Sequence, residues 1–209
     1  RLSRRDGYCI VTLSWVFFTL FGMLPFYLSG SIDSLTNAFF ETMSGFTTTG
    51  ATILDDIESL SHGMLFWRSL TQWIGGLGIV FFTIAVLPAF TSGGVQLFSA
   101  ESTGVTHDRT HPKINVMAKW LWTVYLILTL AETILLMLGG MSLFDAVCQS
   151  FATTATGGYS TKQASISYWN SPFIEYVVAI FMLLSGVNFA LFLMCLRGKV
   201  SRLLRDEEL

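Results

Sequence analysis

A stretch rich in threonine and glycine occurs twice in this chain and limits the possible folds more than any other feature. The first copy reads FTTTGAT at 46–52, and the second reads TATGGYS at 154–160. Gly50 and Gly158 lie 108 positions apart (158 − 50), and so do Thr48 and Thr156 (156 − 48). Each copy follows a short apolar segment and precedes a long one. The pattern predicts an internal repeat.

The composition indicates a membrane protein. Of 209 residues, 52% are hydrophobic and 12% are charged, against about 25% in an average soluble domain. The mean hydropathy is +0.59. No basic patch with interleaved aromatic residues indicates nucleic acid as a partner. The chain also shows no Ser/His/Asp set, no paired acid and base and no phosphate loop, so we predict that it is not an enzyme.

Four apolar segments are long enough to cross a bilayer, which takes about 20 residues. They are 8–28, 64–90, 116–138 and 173–196. Two further apolar segments, 33–45 and 142–152, are too short and are typical of re-entrant helices. Asp33 or Ser34 can cap the first, and Ser142 or Asp145 the second.

The order span, short helix, loop, span therefore occurs twice. We predict an all-α membrane protein of tandem, parallel repeats, each built from a helix, a half-helix, a loop and a helix. The predicted units are a first membrane repeat at 1–92, a cytoplasmic link at 93–115, a second membrane repeat at 116–200 and the start of a cytoplasmic linker at 201–209. Non-helical backbone at membrane depth requires protein or water around it, so the loops should line an aqueous cavity.

Lysine and arginine predict the orientation. Ten of the twelve lie before the first span, in or beside the link, or after the last span. Both termini and the link should be cytoplasmic, and both loops should enter from outside. Only Arg68 and Lys162 lie on the outer side, and we expect Arg68 to snorkel to the interface.

The loops have the residue types of a carbonyl-lined cation filter. A dehydrating cation needs several oxygens at a fixed radius, and backbone carbonyls pointing one way supply them. Glycine permits the required backbone conformations, and β-branched threonine stiffens the loop. The negative end of each short helix favours a cation in the cavity. The plainer alternative is that these segments are external turns that cap helices.

Three segments also carry a family resemblance: 39–52, 67–78 (WRSLTQWIGGLG) and 152–160. Over nearly its whole length the chain resembles the Trk/Ktr/HKT superfamily of potassium transporters, most closely the bacterial Trk membrane subunit. The resemblance implies one filter glycine per repeat, here Gly50 and Gly158. It also implies that each repeat has the plan of a potassium channel subunit (helix–pore half-helix–filter loop–helix) and that the carbonyls of Thr48, Thr49, Thr156 and Gly157 face the ion. With the two filter glycines, the predicted ion site has six residues: Thr48, Thr49, Gly50, Thr156, Gly157 and Gly158.

The resemblance further implies selective K⁺ uptake across the bacterial inner (plasma) membrane, with K⁺ as the transported ion and no organic cofactor. Expected partners are membrane lipid, a second copy in a homodimer and a cytoplasmic nucleotide-binding regulatory subunit. The family has four repeats and this chain resembles the first and second. We therefore expect it to be a fragment, although two copies could also complete a ring.

Two alternative functions remain open at this point. One is a proton- or sodium-coupled potassium symporter, and the other is a non-conducting structural or sensor subunit. Glu132, inside the third span, is a candidate for proton transfer or, more plainly, a packing residue. Glu41 and Gln149 occupy matching places in the two short helices (149 − 41 = 108), and we expect both to brace the loops from behind.

Overall fold

A computed structural model describes residues 4–90 and 114–186, and within these two ranges the protein is helical, with no β-strand. Side chains are described at Cys9, 12–78 and 120–186. Seven α-helices and a short 3₁₀ helix follow in order: α1 Arg4–Gly22, α2 Leu24–Leu28, α3 Leu35–Phe46, α4 His62–Phe90, α5 Ile114–Leu138, α6 Leu143–Thr154, the 3₁₀ helix Ser165–Trp169, and α7 Pro172–Gly186. Most of the predicted link and the end of the fourth predicted span lie outside the described residues.

The first predicted span, 8–28, is not one continuous helix, because α1 ends at Gly22 and α2 begins at Leu24. Pro25 has no N–H with which to continue the helical hydrogen bonds. The carbonyl of Gly22 instead accepts a hydrogen bond of 2.9 Å from the indole of Trp67 in α4. The proline and the side-chain competitor together account for the break at Met23.

The two short helices have the same length and begin 108 positions apart. Each has twelve residues, and each follows a serine with extended backbone, Ser34 or Ser142. Each serine side chain accepts a backbone hydrogen bond three residues on, from Asn37 in the first helix and from Asp145 in the second. Of the two predicted caps in each case, the structure selects serine.

Helix α4 lies at the centre of the described fold, because it packs against α3 of the first half and against α5 and α6 of the second. Two glycines make this possible. A Cβ on Gly75 would overlap the backbone of Phe46, and a Cβ on Gly76 would lie 2.8 Å from the hydroxyl of Tyr125 and 3.1 Å from Ala155. Small residues here thus allow the helices to pack closely.

Large apolar side chains cover much of the outer surface, among them Phe21, Leu138 and Leu183, each at least 70% exposed. Within the described residues, one helix segment, Trp120–Leu138, is both long and apolar enough to cross a membrane. The apolar helices Thr12–Leu28 and Pro172–Gly186 are shorter.

Candidate functional site

The loops after α3 and α6, which we call the first loop (47–52) and the second loop (155–160), begin with the same backbone pattern. Three hydrogen bonds of 2.8–3.2 Å close each helix end, at positions that differ by 108. They run from Thr47 N to Met43 O, Thr48 N to Gly45 O and Thr49 N to Ser44 O in the first, and from Ala155 N to Phe151 O, Thr156 N to Thr153 O and Gly157 N to Ala152 O in the second.

Both loops also share an alternation of backbone handedness. Thr48 has a φ of 53° and Gly50 of 77°, and the matching values are 54° at Thr156 and 83° at Gly158. The residues between them, Thr49 and Gly157, do not have positive φ. A left-handed threonine costs on the order of 1–2 kcal/mol, so this conformation, present twice, is a built feature of the fold. Alternating handedness brings successive backbone polar groups to one concave side.

The two loops lie against each other. A Cβ added to Gly50 would overlap the carbonyl oxygen of Gly157, and one added to Gly157 would overlap the amide of Gln72. Gln72, fully buried in α4, accepts a hydrogen bond of 3.1 Å from the backbone N–H of Tyr159. Of the six predicted site residues, Thr49, Thr156 and Gly158 are exposed and Gly157 is buried.

A buried ion pair stands behind the loops. Arg68 Nε lies 2.7 Å from Glu41 Oε1, and both side chains are at most 1% exposed. The prediction that Arg68 snorkels to an interface is therefore wrong. The burial of Arg68 could not be predicted from its neighbours in sequence, because its partners, Glu41 and the second loop, are 27 and 92 positions away.

Glu41 binds the C-terminal end of the first loop and so supports it, as predicted. Its carboxylate accepts from the Thr52 hydroxyl at 2.9 and 3.0 Å and from the Ile53 N–H at 3.0 Å. Gln149 does not do the same in the second half. Its amide nitrogen donates to Thr153 in its own helix at 3.4 Å, and its Oε1 has no partner among the described residues.

Arg68 of α4 and Tyr159 of the second loop connect this loop to the first half of the chain. Arg68 Nη1 donates to the carbonyl of Ser160 at 3.0 Å, and the guanidinium lies 3.6 Å above the Tyr159 ring. The Tyr159 hydroxyl is within donating distance of the carbonyls of Glu41 (2.9 Å) and Ala51 (3.2 Å).

A second, exposed connection joins the two halves further out. Lys162 Nζ lies 3.4 Å from Glu58 Oε2, with the two side chains 22% and 43% exposed. The side-chain oxygen of Gln163 accepts from the N–H of Ile57 at 3.0 Å. The two halves therefore meet both at the loops and at this outer edge.

Glu132 is fully buried in α5, close to the end of α6. Its Oε2 accepts from the Thr154 hydroxyl at 3.4 Å, and its Oε1 has no partner in the described part of the chain. No group of three or more His, Cys, Asp or Glu side chains in the described ranges could hold a metal ion, so the oxygens that the loops offer are carbonyls and hydroxyls.

The long helix of the first half carries a further sequence signal for this site. Arg68 and Gln72 are one turn apart on a mostly apolar helix, so they share a face. The matching positions in α7 are Tyr176 and Ile180, which are 71% and 53% exposed. Comparing the two copies of the long helix would have marked Arg68 and Gln72 as residues with a role specific to the first half.

Two matched Thr/Gly loops packed side by side in a helical protein are typical of the membrane transport proteins that line an ion path with backbone carbonyls. Residues 1–208 match the TrkH family, described as cation transport protein. The chain belongs to this family, as its resemblance to the Trk/Ktr/HKT superfamily predicted.

Individual relatives agree with the family assignment. The Trk system potassium uptake protein TrkH of Escherichia coli strain K12 is 46% identical over 200 residues, which cover 95% of this chain and 41% of that protein. TrkG of the same strain is 37% identical over 212 residues, covering 100% of this chain and 44% of that protein. The chain thus spans about two fifths of the length of these relatives.

A solved structure supports the fold. The crystal structure of the potassium transporter TrkH from Vibrio parahaemolyticus is similar with a TM-score of 0.79 and 38% sequence identity. The match covers 95% of this chain and 39% of that chain.

Proposed function

We propose that the protein takes part in K⁺ uptake, and that its two loops form part of the ion filter. The observation that carries the proposal is the alternation of handedness at Thr48 and Gly50 and again at Thr156 and Gly158, in loops that touch. The names of the relatives, Trk system potassium uptake proteins, favour K⁺ as the cargo.

The chemistry of the loops suits a partly dehydrated alkali cation. Carbonyl oxygens of Thr48, Thr49 and Gly50, with those of Thr156, Gly157 and Gly158, replace the hydration shell of the ion. Helices α3 and α6 both end at the loops, and the partial negative charge of a helix C-terminus favours a cation there. Inward movement is driven by the membrane potential, which contributes about 2.3 kcal/mol per charge per 100 mV.

The wider architecture belongs to the same proposal. Residues 1–92 and 116–200 form two parallel membrane repeats in the bacterial inner membrane, with the loops entering from outside and both termini cytoplasmic. Residues 93–115 and 201–209 form cytoplasmic segments. Lipid, a second copy of the protein and a cytoplasmic nucleotide-binding regulatory subunit are the proposed partners, and no organic cofactor is part of the proposal.

Rubidium and sodium uptake into proteoliposomes tests this function in the full-length protein, with Gly158→Ser as the variant. Gly140→Ser is the matched control, since Gly140 also has positive φ (100°) and open space around it but lies outside the loops. Serine strains both backbones equally, by about 1 kcal/mol. We expect the unaltered protein and Gly140→Ser to prefer rubidium, and Gly158→Ser to lose that preference.

The proposal fails if folded Gly158→Ser protein keeps the rubidium preference. Uptake that depends on an imposed proton or sodium gradient would assign coupled symport in place of passive uptake. A folded, unaltered protein that moves neither ion would assign a structural or sensor role.

A further inference from the structure

Arg68 is linked to both loops through different nitrogen atoms of one guanidinium, directly to the second loop and through Glu41 to the first. Nε donates to Glu41, whose carboxylate holds Thr52 and Ile53 at the end of the first loop. Nη1 donates to the carbonyl of Ser160 at the end of the second loop. A rigid planar group with two engaged donors fixes the distance and angle between what it binds.

Comparison of the two halves shows whether the Glu41–Arg68 pair does more than support the first loop. The positions that match Glu41 and Arg68 are Gln149 and Tyr176 (149 − 41 and 176 − 68 are both 108), and neither carries a charge. The second loop nevertheless has φ values within about 6° of those in the first and the matching closing hydrogen bonds. A carboxylate at the position of Glu41 is therefore not needed to fold a loop of this type.

We propose that Arg68 is a positioning residue for ion selectivity, which sets the separation of the first and second loops. The inference rests on the proposed function and deepens it. Carbonyls from both loops surround the ion, so the spacing of the loops sets the distance between the ion and these oxygens. If the loops can move closer together, the oxygens also fit the smaller Na⁺, and the preference for K⁺ is lost.

Simple truncation of Arg68 is a poor test, since it leaves the buried carboxylate of Glu41 uncompensated, which is strongly destabilising. Arg68→Lys keeps the positive charge beside Glu41. A single ammonium group, however, cannot occupy the places of both Nε and Nη1. This variant therefore preserves the ion pair and removes the bridge to Ser160.

The experiment measures the ratio of rubidium to sodium uptake by the full-length protein in proteoliposomes, together with its melting temperature in detergent. We expect Arg68→Lys to fold, with a melting temperature lowered by the loss of the hydrogen bond to Ser160, and to lower the ratio by about tenfold, because a hydrogen bond to a charged group contributes on that order. The double variant Glu41→Gln/Arg68→Gln, with no charge left at this pair, should lower the ratio at least as much. It is the second test if Arg68→Lys does not fold.

Lys162→Met is the control, since it breaks a different ion pair, Lys162–Glu58, which joins the two halves at the exposed edge. Its ratio should equal that of the unaltered protein. An unchanged ratio in folded Arg68→Lys and in the double variant would overturn the inference, and so would an equal fall in Lys162→Met. Failure of the proposed function looks different: the unaltered protein itself then shows no rubidium preference, and the inference fails with it.

Discussion

Gly50 of the first loop lies so close to the carbonyl oxygen of Gly157 in the second loop that no side chain fits between them. The contact joins residues 107 positions apart in the chain, and it places the backbones of the two loops directly against each other. Gly50 also has a φ of 77°, which disfavours any residue with a Cβ. Glycine is thus required here for two independent reasons, conformation and contact.

Gly50→Ala should abolish rubidium uptake, because the added methyl group pushes the second loop away. Gly30→Ala is the control, since Gly30 has a similar φ of 69° but no atom near its Cβ position. Alanine at Gly30 adds about 1 kcal/mol of backbone strain and should leave uptake intact. Flux in proteoliposomes, normalised to the amount of folded protein, distinguishes contact from strain. Equal losses in both variants would contradict the prediction.

The glycines of α4 allow a second, structural prediction. Gly75→Ala should destabilise the protein by about 1–3 kcal/mol or more, because its methyl group overlaps the backbone of Phe46. In the same helix, Gly63→Ala meets only Ser61 Oγ at 4.0 Å and should stabilise it by up to about 1 kcal/mol through helix propensity. Thermal unfolding in detergent measures both. A Gly75→Ala protein that melts at the normal temperature would show that α4 can move away from Phe46.

Local features of the sequence were enough to predict the short helices and the loops. A capping serine, an apolar segment too short to span and a Thr/Gly turn are all encoded within about twenty residues, and α3 and α6 lie within two residues of the predicted segments. The family also followed from contiguous motifs.

Features that depend on distant partners were not predicted. The burial of Arg68 is decided by Glu41 and Ser160, and the helix break at Met23 depends on the indole of Trp67 as well as on the local Pro25. Gln149 was expected to act like Glu41, but an amide in place of a carboxylate attracts no guanidinium. Glu41 and Gln149 occupy equivalent positions in the two repeats, but the carboxylate and the amide form different contacts.

The two serine caps should differ in strength. Ser34 Oγ lies 3.4 Å from the N–H of Asn37. Ser142 Oγ lies 3.1 Å from the N–H of Asp145 and also donates to the Asp145 carboxylate at 2.8 Å. An N-cap serine contributes about 0.5–2 kcal/mol, so Ser142→Ala should cost the larger part of this range and Ser34→Ala the smaller.

Melting temperatures of the two cap variants test this order. Thr36→Ala is the control, since Thr36 is exposed within the first turn of α3 and the structure gives its side chain no hydrogen bond. It should leave the melting temperature unchanged or raise it slightly. A larger loss from Ser34→Ala than from Ser142→Ala would show that hydrogen-bond geometry does not decide the strength of these caps.

Tyr159→Phe distinguishes the contribution of the Tyr159 hydroxyl from that of its aromatic ring. The change removes the hydrogen bond to the carbonyls of Glu41 and Ala51 but keeps an aromatic face 3.6 Å from the Arg68 guanidinium. We expect the melting temperature to fall, by an amount that corresponds to about 1 kcal/mol. The rubidium-to-sodium ratio should stay the same, since Arg68 still bridges Glu41 and Ser160. If the ratio falls as far as in Arg68→Lys, the tyrosine hydroxyl sets the spacing of the loops instead of the guanidinium.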